Sequence, residues 1–89
     1  MATEIVHPYI TRDKNIGNGK PIISGTRTRV ANIVAYYKLG YSPEELARAF
    51  PHLSLSQIYD ALSYYHDHAM QIDRDIEKNR EENFIDHTS

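Results

Sequence analysis

Two helix starts lie only twelve residues apart, and this spacing constrains the fold more than any other feature of the sequence. Ser42 is followed by a proline and, three residues on, by Glu45, which is the pattern of a capping box with proline at the first helical position. Ser54 and Gln57 repeat the box. The interval leaves room only for a short helix and a sharp turn at Phe50-Pro51, so the chain from 40 to 65 is predicted to be a helix-turn-helix.

A further helix is predicted before this unit. Thr28 is a plausible cap for a helix that ends near Leu39, with Gly40 just beyond its end. Apolar side chains recur along one face of each of the three helices, so three stripes can meet in one core. The members of these stripes are Val30, Ile33, Val34, Tyr37, Leu46, Ala47, Phe50, Ile58, Ala61, Leu62 and Tyr65.

The third helix is expected to continue past the bundle. Its apolar residues are spaced four, three, four, three and four apart, which is a heptad pattern. The apolar side chains of this extension would need to be buried, and a partner chain is the simplest way to bury them. Whether that chain is a second copy or a different protein stays open. The spacing belongs to Ile58, Leu62, Tyr65, Ala69, Ile72 and Ile76, and the predicted dimer or partner seam is Tyr65, Ala69, Ile72 and Ile76.

The N-terminal part is expected to be extended. Ile5–Thr11 has β character, but Pro8 lacks a backbone donor and limits this segment to an edge strand or an arm. Asn18-Gly19 is the dipeptide best suited to a type I′ turn, so a hairpin is predicted between residues 14–17 and 20–24.

The predicted architecture is therefore mainly α. A β-rich N-terminal arm and hairpin occupy residues 1–27, a homeodomain-like three-helix bundle with its helix-turn-helix occupies 28–68, and a helical extension with an acidic tail occupies 69–89. With 89 residues the chain is expected to form one domain overall.

Charge is distributed unevenly along the chain. Residues 1–50 carry seven Lys and Arg against four Asp and Glu, about +3, and residues 51–89 carry three against eight, about −5. The basic half is a candidate for phosphate binding, while the acidic half suits a basic protein. The acidic tail is expected to be disordered alone and to order on binding. The residues proposed to contact a protein there are Asp73, Asp75, Glu77, Glu81, Glu82, Phe84 and Ile85.

Base-specific reading of DNA has weak support in this sequence. The start of the second helix of a helix-turn-helix enters the major groove, and here Ser56 and Gln57 are the candidates to meet bases. No Arg or Lys is present to read guanine, Asp60 would repel phosphate, and Gln57 has an alternative role in the capping box. The better phosphate candidates come earlier and are Lys20, Arg27 and Arg29, although Arg27 has an equal alternative as an internal partner that locks its loop.

Enzymatic chemistry is not expected. The chain has no Cys, no nucleophile elbow and no isolated pair of carboxylates. Its five histidines are expected to be isolated at the surface, since His66 and His68 point to different sides of a helix and the others are scattered. No metal, cofactor or small-molecule substrate is therefore expected. Without Cys, a bilayer-length apolar run or a signal-like start, the expected compartment is the cytoplasm, with no membrane partner.

Several strings resemble a known family. Residues 19–27 read GKPIISGTR, residues 40–46 read GYSPEEL and residues 50–54 read FPHLS. These strings, with Ala61, Leu62, Tyr64 and Tyr65, are similar to domain-of-unknown-function family 433. The resemblance spans roughly residues 7–68 and implies a homeodomain-like fold. It also implies that a role as the antitoxin of a VapBC-type pair is open to this chain, with a PIN-like nuclease as the usual partner.

The favoured expectation is thus a small homodimeric antitoxin of a type II pair. Its acidic tail would wrap a PIN-like toxin, and its basic half is a candidate for operator DNA. A stand-alone helix-turn-helix DNA-binding regulator is the alternative, and a structural dimer that scaffolds another protein through the heptad seam is the third.

Overall fold

A computed structural model of the chain describes residues 7–88, with side chains described for residues 7–78. The protein is mainly helical, and a short antiparallel strand pair precedes four helices. The strands are β1 (Ile10–Thr11) and β2 (Ile22–Ile23), and the helices are α1 (Val30–Lys38), α2 (Pro43–Ala49), α3 (Leu55–Asp67) and α4 (Ala69–Thr88).

The strand pair is wider than the predicted hairpin. Ile10 pairs with Ile23, and Thr11 with Ile22, so the two strands are joined by ten intervening residues rather than by Asn18-Gly19 alone. Asn18 and Gly19 do take positive φ angles of 58° and 79°, but they form a 3-10 turn within the connection. The apolar pattern explains this pairing, because both residues of β2 are buried in the core.

The start of α1 differs from the prediction. Arg29 rather than Thr28 is the N-cap, and its side chain makes no capping bond. Residues 28 and 29 instead continue as extended chain beside β2, where Ile23 N donates to Thr28 O, and Val30 N donates to Pro21 O at 3.0 Å. The first helical N–H is thus satisfied by the carbonyl of Pro21, just before β2, and no side-chain cap is needed.

The end of α1 is as predicted. Gly40 has a φ of 107° and its N–H donates to Tyr37 O, while Tyr41 N donates to Tyr36 O. This is a Schellman motif, and the rings of Tyr36 and Tyr41 pack edge to face 5.2 Å apart across it.

The helix-turn-helix is confirmed by both of its predicted start signals. Ser42 Oγ accepts from Glu45 N while Glu45 Oε1 accepts from Ser42 N, and Ser54 and Gln57 make the same reciprocal pair. Each box satisfies two N–H groups with residues three positions apart, so both helices begin where the sequence predicts.

The prediction of one continuous third helix is wrong. His68, with φ −134° and ψ 41°, is not helical and separates α3 from α4. After this break α4 packs mainly against α1, and Ile72 is fully buried in the core of its own chain while Ile76 packs at the edge of that core. The chain itself therefore covers Ile72, and no partner is required for that purpose.

The core collects residues from β2 and all four helices. It lies between the strand pair and the helices, with α1 at its centre. Its fully buried large side chains include Ile22, Ile23, Val30, Ile33, Val34, Leu46, Ile58 and Ile72. The acidic tail expected to be disordered instead continues as helix to Thr88.

Candidate functional site

The first turn of α3 is held by its cap. Gln57 Oε1 lies 2.7 Å from Ser54 N, and Ser54 Oγ accepts from Gln57 N at 3.2 Å. The carbonyl oxygen that would accept from adenine is therefore already bonded, as the structural alternative for Gln57 predicts. Ser56 beside it is exposed on the outer face of the helix.

An apolar strip on α3 lies open to solvent next to the N-terminal arm. Leu55 and Tyr59 are about half exposed, at 42 % and 51 %, and Tyr9 of the arm is 41 % exposed. Together with Pro8 they line a shallow groove on the outer side of the helix. Exposed tyrosine and leucine suit a contact with protein more than a contact with a phosphate backbone.

His7 ties the arm to α3. Its Nε2 lies 2.8 Å from Asp67 Oδ2, and its Nδ1 lies 3.4 Å from Asp60 Oδ1. The Tyr9 N–H donates to Asp60 Oδ2 at 2.8 Å, and the Tyr64 ring meets the imidazole edge to face. Asp60 is thus committed to holding the arm, and its side chain is only 11 % exposed.

Among the described side chains, His7 and His52 differ from the expectation that all five histidines are isolated at the surface. The side chain of His7 is only 10 % exposed, and His52 Nε2 lies 2.7 Å from Thr28 Oγ1. The second contact links the turn of the helix-turn-helix to the segment before α1. Neither pairing follows a sequence spacing, because the partners lie 24 to 60 residues away.

Lys20 and Asp75 form an ion pair within the chain. Lys20 Nζ lies 3.0 Å from Asp75 Oδ1, and the Asp75 side chain is only 8 % exposed. The prediction assigned Lys20 to nucleic acid and Asp75 to a toxin. The structure uses both to hold α4 against the connection before β2, because a buried carboxylate is stable only when it is paired.

A second clasp fixes α4 to the end of α1. Asp73 Oδ1 lies 2.6 Å from Lys38 Nζ and accepts from the Tyr65 hydroxyl at 3.0 Å. The hydrogen bond from Lys38 lowers the pKa of the Asp73 carboxyl, and the same bond raises the pKa of Lys38. Asp73, the other acidic residue at the start of the predicted toxin-binding tail, is thus also engaged within the chain.

The remaining basic candidates are placed differently. Arg27 is exposed, two residues after Gly25 with its φ of 78°, and none of the described residues forms a hydrogen bond or ion pair with its guanidinium. Arg29 is half-buried against Gly17, where an added Cβ would lie 3.1 Å from Arg29 Nε. Arg27 is therefore the predicted phosphate ligand that is most accessible.

The predicted toxin contacts in the tail fall into two groups, one before and one after Lys78. Glu77 is exposed on α4, beside a groove formed with the end of α1. Side chains beyond Lys78 lie outside the described residues, and this group contains the predicted toxin contacts Glu81, Glu82, Phe84 and Ile85.

A cavity lies between the C-terminal end of α1 and α4. It has a volume of about 760 Å³ and opens beside the Lys38–Asp73 pair, with Leu39, 77 % exposed, at its rim. Within the described part of the chain no three His, Asp or Glu side chains converge to hold a metal ion. Nor is any helix in that part long and apolar enough to cross a bilayer.

Comparisons with known proteins give a family and a fold. The family model described as "Protein of unknown function (DUF433)" matches residues 10–65. A crystal structure of a DUF433 member protein from Anabaena variabilis is 32 % identical and superposes with a TM-score of 0.71, covering 76 % of this chain and 67 % of that one. Among curated protein sequences none matches this chain.

Proposed function

This chain belongs to the DUF433 family, and on that premise we propose that it is a small helical binding module that acts as the antitoxin of a type II toxin-antitoxin pair. Its protein partner would be a PIN-like nuclease, as the resemblance of residues 19–27, 40–46 and 50–54 to the family implies. The single observation that carries this proposal is the length of α4 beyond the bundle.

Helix α4 continues for about three turns after Ile76. Among the described side chains Ile76 is the last that packs against the core, yet the helix runs on to Thr88. Those twelve residues add about 18 Å at 1.5 Å per residue, and the molecule measures 51 Å along its long axis against 28 and 23 Å across it. A projecting helix supports binding to a groove on another protein.

The composition of that projection suits a basic partner surface. Residues 79–88 contain three acidic side chains with Phe84 and Ile85 between them. Asp73 and Asp75 are paired with Lys38 and Lys20, so the expected toxin contact lies in the segment after Lys78. Acidic groups there would steer the encounter, and the two apolar residues would supply the buried contact.

Co-expression with the product of the adjacent gene tests this proposal. The neighbour alone should arrest growth, and the full chain should co-purify with it and restore growth. A chain that lacks residues 79–89 should keep its melting temperature but lose both effects. A chain that lacks only residues 87–89 is the matched control and should behave as the full chain.

Two results would contradict the proposal. If the product of the adjacent gene is harmless and does not co-purify, it is not a toxin partner of this chain. If the chain without residues 79–89 still restores growth, the toxin must contact the bundle instead of this segment.

A stand-alone DNA-binding regulator is the second candidate, and Arg27 is the observation that favours it. This exposed guanidinium is adjacent to Thr28, whose hydroxyl contacts His52 in the turn of the helix-turn-helix. A basic group near that turn suits contact with the phosphates that flank a major groove.

Band-shift titrations over a series of salt concentrations test this alternative. Arg27→Ala should weaken binding to all DNA sequences and reduce the salt slope by about 1. Arg74→Ala, which removes an exposed cation on α4, is the control and should change little. Binding that is absent, or that does not respond to salt, would reject this candidate.

A further inference from the structure

Helices α3 and α4 are separated by a single residue. The N–H groups of Ala69, Met70 and Gln71 make no hydrogen bond to the carbonyls one turn before them, whereas His68 N still donates to Tyr64 O and Ile72 N to His68 O, each at 3.0 Å. Only three helical hydrogen bonds are therefore missing at the break. A rotation about the backbone of His68 is sufficient to restore them.

The sequence favours the straight form as well as the bent one. The spacing of four, three, four, three and four from Ile58 to Ile76 continues through His68 without a shift in phase. Such a pattern is typical of an uninterrupted amphipathic helix, and no Pro or Gly marks the break. The bend is consequently supported by the docking of α4 rather than by a local signal.

The docking contacts of α4 are all side-chain contacts with elements far away in the chain. Asp75 pairs with Lys20, Asp73 pairs with Lys38, and Ile72 enters the core beside α1. Each of them can be made equally well by the α4 of a second copy, because the receiving surface is unchanged. Exchange of an identical element between copies is a low-cost route to a dimer.

We propose that this chain forms a dimer by exchanging α4 between two copies, with His68 as the hinge. In the dimer α3 and α4 become one helix, and the Asp73 and Asp75 carboxylates of each copy pair with Lys38 and Lys20 of the other. The partner is a second copy of this chain, and the inference does not depend on the existence of a toxin.

Charge reversal provides a test that only exchange can pass. A chain with Lys20→Asp and a chain with Asp75→Lys each place like charges at the clasp, whether α4 docks on its own chain or on an identical copy. In a mixed dimer with exchanged helices both clasps join opposite charges again. The double variant, with both substitutions on one chain, restores the clasp in every arrangement and is the matched control.

The two variants are unfolded together, refolded at high concentration and weighed by native mass spectrometry, which separates them by mass. The ratio of mixed dimers to like dimers should exceed the value of one that random pairing of equal amounts gives by about tenfold or more, because a buried charge without its partner is strongly destabilising. The melting temperature of the mixture should also rise above those of the separate variants. A mixture that contains only the two monomers, or dimers in random proportion, would overturn the proposal.

The second clasp guards against variants that fail to fold. Lys38 and Asp73 are nearly half exposed, so Lys38→Asp and Asp73→Lys are tolerated more readily than changes at the buried Asp75. Mixed dimers are again expected in excess, by a smaller factor. Folded variants of this second pair that remain monomeric after joint refolding would refute exchange at His68.

Discussion

The Nε2 atom of His7 lies 2.8 Å from Oδ2 of Asp67, although sixty residues separate them in the chain. With Asp60 on its other ring nitrogen, this imidazole fastens the N-terminal arm across the middle of α3. The arm is thereby held beside the exposed Leu55 and Tyr59 of α3.

Removal of this imidazole should release the arm. His7→Ala is expected to lower the free energy of unfolding by about 1 kcal/mol, as for one lost hydrogen bond between charged or polar groups. Amide hydrogen exchange at residues 9–11 should become faster. The control is His66→Ala, at an exposed histidine of α3, which should leave those amides protected. If exchange is unchanged in His7→Ala, strand pairing alone holds the arm.

The cap of α3 can be tested with two serines that are two residues apart. Ser54→Ala removes the acceptor for Gln57 N and should cost about 1 kcal/mol of stability. Ser56→Ala, on the exposed face of the same turn, should change stability by less than about 0.5 kcal/mol. Urea denaturation of both variants makes the comparison, and equal midpoints would refute the role of the capping box.

The burial of Ile72 predicts a large cost when its side chain is shortened. Ile72→Ala should lower the free energy of unfolding by about 2 to 5 kcal/mol, because it leaves a cavity between α4 and α1. Met70→Ala lies one half-turn away at a side chain that is 76 % exposed, and it should cost less than about 0.5 kcal/mol. A mild effect at Ile72 in thermal melts would mean that α4 is not docked as described.

The clasp between Asp73 and Lys38 predicts a dependence on pH. The pKa of Asp73 is lowered in the folded chain, so the unfolded state binds more protons near the ordinary carboxyl pKa of 3.8. The stabilisation is therefore complete above that value and is lost as the pH falls through the lowered pKa of the folded state. The pKa of Lys38 is raised in the folded chain, so the stabilisation from Lys38 is complete below pH 10.5 and is lost at still higher pH.

Thermal melts of the native chain and of Asp73→Asn measure this effect. The difference between their melting temperatures should shrink as the solution is acidified below pH 3.8, and it should also shrink with added salt, because both groups are exposed to solvent. Glu44→Gln, which changes an exposed carboxylate outside this clasp, is a useful comparison. A difference that grows on acidification would contradict the assignment.

Signals that act within one or two turns were readable from the sequence, and long-range pairings were not. Ser42 and Ser54 lie three residues from the groups that they cap, so their helices could be located exactly where they begin. The heptad spacing through His68 was misleading for a physical reason. Two helices that turn their apolar faces to one core have the same spacing as one straight helix, and only the packing of Ile72 on α1 distinguishes them.

The candidate site was harder to predict for a related reason. Charge sign alone assigned Lys20 to DNA and Asp75 to a protein partner, whereas the fold brings the two together across 55 residues. The capping role of Gln57 was recognisable because it is local. The exposure of Arg27 depends on the course of the chain after β2, which no local pattern specifies.

The two clasps of α4 also bear on the order in which the chain folds. The capping boxes of α2 and α3 close over three residues, whereas the clasps join residues 35 and 55 positions apart and so require much larger loops to close. We therefore expect the helix-turn-helix to form early and α4 to arrive last. During synthesis the receiving surface on α1 would emerge before the helix that covers it, which leaves a short interval in which neighbouring nascent chains compete for the same place.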